Sequence, residues 1–253
     1  MNGTSHASYS FLIFTFTSTF LLGQVPAGGP SVLAIAMGLF PDIDAVAWLL
    51  FNRGKKPDTS SFQHHLMYPT HWPVTYTPLL VWTAVAIWLG IFPMHFLAMT
   101  VGIYTHLAFD SMACGDGMNW GAPWGRRFVN LFSSKTDGYH GRYWNARFNK
   151  TVLFKLGHVA AIGALVVLVL ITPSHPADLG WYIFALAGLG FVMATGLIPV
   201  PPEYAKEPPE GRYHDYRRLP EYYERLPQKK KDQIRAWHES HPRQGSADVA
   251  QKL

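Results

Sequence analysis

Long apolar stretches alternate with short polar ones along this chain. The apolar runs lie near residues 9–25, 30–51, 74–92, 93–113, 151–172 and 180–199. Each is close to the ~20 residues that an α-helix needs to cross the hydrocarbon of a bilayer. The pattern predicts an all-α fold, with six transmembrane helices forming a membrane-embedded domain over residues 1–200. A cytoplasmic tail, 201–253, follows. Its mixture of Pro and charge favours extended or short helical pieces over a second core. The first run is assigned as a helix and not as a signal peptide, because residues 1–10 contain no Lys or Arg and the basic opening segment is missing.

Charge placement sets the orientation. Of the 21 Lys and Arg, three fall in 52–73, seven in 114–155 and eleven in the tail, while the connections at 26–29, around 93 and at 173–179 hold none. With six spans, every basic segment lies on one side, which the positive-inside rule makes cytoplasmic. The expected location is a bacterial inner membrane with both termini in the cytoplasm. The net charge of +5 is accounted for by this placement, so direct nucleic-acid binding is not expected and membrane lipids are the expected partners. A single cysteine, Cys114, excludes an internal disulfide framework and Cys-rich zinc modules. Any metal must be held by His, Asp or Glu.

The second run reads "GLFPDIDAVAWLLF" and carries Asp42 and Asp44. A lone carboxylate in hydrocarbon costs several kcal/mol unless it is protonated, paired or metal-bound. Partners are available. In "VGIYTHLAFDSMACGDG", His106 and Asp110 stand at i and i+4, on one helix face. Between the second and third runs, "FQHHLMYPTHWP" supplies His64, His65 and His71. All three stretches reach the cytoplasmic half of the membrane. Imidazole with carboxylate suits a divalent metal, zinc first, with manganese or iron as the other choices, and an open coordination position lets it activate water.

On a regular helix the two acids of Asp-x-Asp diverge by about 200°. One is then a ligand and the other orients a histidine or holds a second metal, unless Pro41 breaks the helix and redirects both. Plainer roles exist for each group: an N-cap for one of the acids, a neutral interhelical pair for His106 and Asp110, and solvated loop histidines. His6 precedes the first run, His95 sits at the outer end, and His158 either joins the site or packs. The loop 114–150, with "NWGAPWGRRF", is either an interfacial aromatic belt or a cover in which Arg126 or Arg127 grips a phosphate.

The order of His6, "LFPDID", "HHLMYPTH" and "GIYTHLAFDSMACGDGMNWGAP" resembles the bacterial inner-membrane-bound metal-dependent hydrolases, some of which are described as LexA-binding. That family runs through a leading His, "PDIDH", "HRGxTHS" and "GxxxHxxxDxxTxxG". The resemblance covers about residues 6–125. It implies metal-site roles for Asp42, Asp44, His65, His71, His106 and Asp110, with His6 as a further candidate. Ala45 stands where the family has His, Trp72 where it has Ser, and the "HHLMYPTH" segment is one residue longer, which leaves both His64 and His65 as equivalents of the first histidine. The family's distant similarity to the helical zinc phospholipase C and nuclease group implies phosphoester cleavage.

The expected function is therefore that of a membrane-bound, metal-dependent hydrolase acting on a lipid phosphoester or similar inner-leaflet substrate. Asp42 and Asp44 are the candidate catalytic carboxylates. Two other classes compete with it: a transporter using the buried acids and His106 as a relay, and a scaffold whose tail, through "QKKKDQIRAW", meets anionic lipid or a cytosolic partner.

Overall fold

A computed structural model describes residues 3–51, 68–113, 118–124, 128 and 129, 148 and 149, 151–171 and 176–196, with isolated positions at 228, 231, 232, 235, 236 and 239. The fold of these residues is all-α apart from one antiparallel pair of two-residue strands, β1 (Met118–Asn119) and β2 (Phe128–Val129). The helices are α1 (Gly3–Leu21), α2 (Gly28–Leu39), α3 (Ile43–Phe51), α4 (Thr77–Leu89), α5 (Pro93–Ala113), α6 (Val152–Ile171) and α7 (Pro176–Gly196).

Two differences from the sequence expectation matter. The first helix begins at Gly3 and not near residue 9, so His6 lies inside it and not ahead of it. The segment Gly3–Ser10 is rich in Ser, Thr and Ala and low in hydropathy, yet it is buried by its neighbours along most of its length. The second run is also not one regular helix. A 3-10 turn at Phe40–Asp42, with Pro41 in it, separates α2 from α3. Proline lacks the N–H that would continue the α-helical ladder, and the tighter turn re-aims the two acids.

Helices α1, α2 and α5 pack against one another at the centre. Their contact is close because the facing residues are small. Gly38 of α2 lies directly on Ser10 of α1, and a Cβ at Gly102 of α5 would stand 2.7 Å from the Ala34 carbonyl and 3.0 Å from the Gly38 nitrogen. Ser10 also donates through Oγ to the Gly102 carbonyl at 3.1 Å. Helices α6 and α7 cover one flank through a core that includes Phe11, Ile35, Leu165, Tyr182 and Leu189. On the other flank α4 joins α5, and Thr83 Oγ1 lies 2.6 Å from Thr100 Oγ1. The α4–α5 hairpin turns at Gly90, which has φ 70° and ends α4 while Ile91 donates to the Ala86 carbonyl at 3.0 Å.

Long-range bonds fix which ends lie together. Tyr9 near the start of α1 donates to the Leu153 carbonyl at the start of α6 at 2.6 Å and stacks on Phe109 late in α5. At the opposite end Tyr182, early in α7, donates to the Pro26 carbonyl. Among the described residues, two segments are long and apolar enough to cross a membrane, Gly28–Ala47 and Val152–Ile171, with Pro73–Leu89 and Asp178–Phe191 as shorter apolar helices.

Candidate metal centre

The start of α1, the turn between α2 and α3, a short 3-10 turn at Pro69–His71 and the last third of α5 converge at one end of the bundle. They bring together His6, Asp42, Asp44, His71, His106 and Asp110. His71 and His106 face each other, Nε2 to Nε2, at 3.3 Å. Asp110 Oδ2 lies 3.0 Å from His106 Nε2 and 3.8 Å from His71 Nε2. Asp42 Oδ1 is 3.7 Å from both nitrogens.

The other edge of each ring is committed. His71 Nδ1 lies 2.8 Å from Asp44 Oδ2, and His106 Nδ1 lies 2.7 Å from the Gly38 carbonyl. A carboxylate and a carbonyl only accept, so both Nδ1 atoms carry the hydrogen and donate. In the neutral imidazoles both Nε2 atoms then present lone pairs to the same point. Two acceptors 3.3 Å apart repel unless a cation or a proton lies between them. A tetrahedral ion with bonds of about 2.0–2.2 Å sets its donors about 3.3–3.6 Å apart. The five edges that run from the two Nε2 atoms, to each other and to Asp42 and Asp110, measure 3.0 to 3.8 Å.

Asp44 lies on the far side of His71. Its Oδ2 accepts from His71 Nδ1 and from Thr70 Oγ1, the latter at 2.7 Å. The Pro69–His71 turn is itself held, since Tyr76 donates to the Thr70 carbonyl and Thr75 Oγ1 to the Pro69 carbonyl, each at 2.7 Å. The two acids thus flank opposite edges of one imidazole, Asp44 bonded to Nδ1 and orienting the ring, Asp42 3.7 Å from Nε2 on the side of the cluster. His6 stacks on His106 with ring centroids 3.7 Å apart, and its Nε2 lies 3.2 Å from Asp110 Oδ1. His6, His71, His106, Asp44 and Asp110 are buried, whereas the Asp42 side chain is 32% exposed and forms the open side.

Several sequence candidates lie elsewhere. His64, His65, Arg126 and Arg127 fall outside the described residues. His95 stands at the opposite end with its ring edge on Phe92. His158 is buried on α6, donates through Nδ1 to the Phe154 carbonyl and belongs to neither group of donors that could hold an ion. Gly38 and Gly102 were missed as site residues, because what they contribute is a backbone carbonyl and the room to reach it. Their signal in the sequence is small residues facing across two apolar runs. Comparisons with protein-family models, curated proteins and solved structures find no match for this chain.

Proposed function

We propose that this protein is a membrane-embedded, metal-dependent hydrolase. The observation that carries the reading is the pair of Nε2 atoms 3.3 Å apart with both Nδ1–H groups committed elsewhere, flanked by two carboxylate oxygens 3.0 to 3.8 Å from them. His71, His106 and Asp110 would hold the ion and leave a fourth position on the Asp42 side for a water, zinc being the first choice for a compact set of N and O donors and manganese or iron the alternatives. Such an ion lowers the pKa of a bound water and polarises a phosphoryl oxygen. Asp44 and the Gly38 carbonyl keep the two rings in the tautomer that offers Nε2. Asp42, on the exposed side, stands where a substrate enters and can accept the proton of an attacking water.

The membrane setting is supported by the outward faces of the helices. Phe16, Trp82, Trp88, Val159, Phe184 and Phe191 are each more than half exposed and come from α1, α4, α6 and α7. A water-soluble surface rarely carries that much apolar area on every side. All 21 basic residues also belong to segments attached at the end of the bundle that holds the cluster. A substrate with a phosphoester head and an apolar tail suits a site that opens beside Phe40 and Ile43, both exposed. The resemblance to the inner-membrane hydrolase family points the same way. The relay reading is less well supported, since the layer beyond the site holds Phe14, Ala34, Leu97 and Ala98.

The test is elemental analysis of detergent-purified protein beside His106→Ala and Asp110→Ala, followed by hydrolysis assays on lipid phosphoesters. Bound metal that both substitutions abolish, with metal-dependent turnover, is the expected result. Protein that stays metal-free after reconstitution with zinc, manganese and iron overturns it.

A further inference from the structure

The donor set formed with His71 and His106 uses one oxygen of Asp110, Oδ2. The other, Oδ1, points towards α1, where His6 Nε2 lies 3.2 Å away. His6 is 1% exposed; its Nδ1 has no hydrogen-bond partner among the described residues, and its Nε2 meets the Asp110 carboxylate at 3.2 Å without the alignment of a good hydrogen bond. A buried imidazole left that way has lost the hydrogen bonds it made to water, so a cation or polar partner on this side stabilises it. The ring also lies flat on His106, 17° from parallel, which fixes its edge towards the carboxylates.

A second set of donors exists at that edge. Ligand atoms of His6, Asp42 and His106 lie within 4.8 Å of one another, as do those of His71, His106 and Asp110. His106 cannot serve both sets, because its Nδ1–H is committed to the Gly38 carbonyl and Nε2 has a single lone pair. Carboxylates can serve both, since each has two oxygens. Asp110 already turns Oδ2 to His106 and Oδ1 to His6.

We propose that the site takes two divalent cations, bridged by the Asp110 carboxylate. The first is held by His71 and His106, the second by His6 and Asp42. This inference rests on the proposed metal site and extends it. Carboxylate-bridged ions typically stand about 3.5–4 Å apart, a spacing that clamps the attacking and leaving oxygens of an in-line phosphoryl displacement. The substrate class that suits such a clamp beside an apolar opening is a phosphoester. His6, on the first turns of α1, is what makes the difference between a one-ion and a two-ion centre.

The full chain in detergent is loaded with manganese, passed through gel filtration and analysed for metal content and by electron paramagnetic resonance, alongside His6→Gln. Two manganese ions per chain with an exchange-coupled spectrum are expected, falling to one ion with an isolated six-line signal in H6Q. One ion in the wild type, with an uncoupled signal that H6Q leaves unchanged, overturns the two-ion inference and leaves the one-ion site standing. No ion in either protein overturns both. If H6Q does not fold, the wild-type count and spectrum decide the matter alone.

Discussion

Gly102 offers no side-chain donor to the site, yet replacing it with Ala is expected to weaken metal binding. The added Cβ would stand 2.7 Å from the Ala34 carbonyl oxygen and 3.0 Å from both the Gly38 nitrogen and Met37 Cβ, and ordinary contact begins at 3.4 Å. Two of those three neighbours are backbone and cannot swing aside. Helices α2 and α5 must therefore part by about 0.7 Å, the shortfall at the closest contact, with overpacking of this kind costing about 1–3 kcal/mol. The same displacement acts on the bond from His106 Nδ1 to the Gly38 carbonyl, which is 2.7 Å long. Stretched to about 3.4 Å it leaves the hydrogen-bonding range, and His106 loses the contact that fixes its tautomer and orientation. Loss of such an outer contact lowers metal affinity by about 10–100-fold. Competition titration against a chelating dye measures the affinity, and a thermal melt in the same detergent measures the packing cost. Gly163→Ala is the control, since nothing lies within 4 Å of its Cβ position. An exposed helical Gly→Ala change is expected to stabilise by about 0.5–1 kcal/mol and leave metal binding alone. A G102A protein that melts with the wild type and binds metal as tightly refutes the link between helix approach and site.

Three further outcomes follow from the same geometry. Asp44→Asn removes the charge behind His71 while keeping its shape, and is expected to weaken metal binding by about 10–100-fold with the fold intact by circular dichroism. Thr70→Ala removes one hydrogen bond to the same oxygen, worth about 1 kcal/mol, so its affinity loss should be nearer fivefold; an effect equal to that of D44N would mean that the Pro69–His71 turn had collapsed. Deleting residues 203–253 is expected to leave metal content unchanged, and a truncated protein that loses its function while Asp42→Ala retains it would favour the scaffold reading.

The all-α class, the approximate helix spans and the identity of most cluster members were legible in the chain itself. Hydrophobic length is a local property, and the i, i+4 spacing of His106 and Asp110 puts both on one face whatever surrounds them. The break at Pro41 was also visible as a possibility, because proline's missing N–H acts locally. His6 was harder to place, since the helix around it is polar in sequence and owes its burial to neighbours far along the chain.

Tertiary structure alone decided how the donors divide the work. That Asp42 faces the cluster and Asp44 the back of His71 depends on the 3-10 turn meeting the Pro69–His71 turn 27 residues away from Asp44. That the Gly38 carbonyl fixes the tautomer of His106, 68 residues on, depends on α2 and α5 approaching until their backbones touch. A metal centre is a set of distances of a few ångströms between atoms remote in sequence. Residue types and local periodicity select the candidates, and only the packing of α1, α2 and α5 sets those distances.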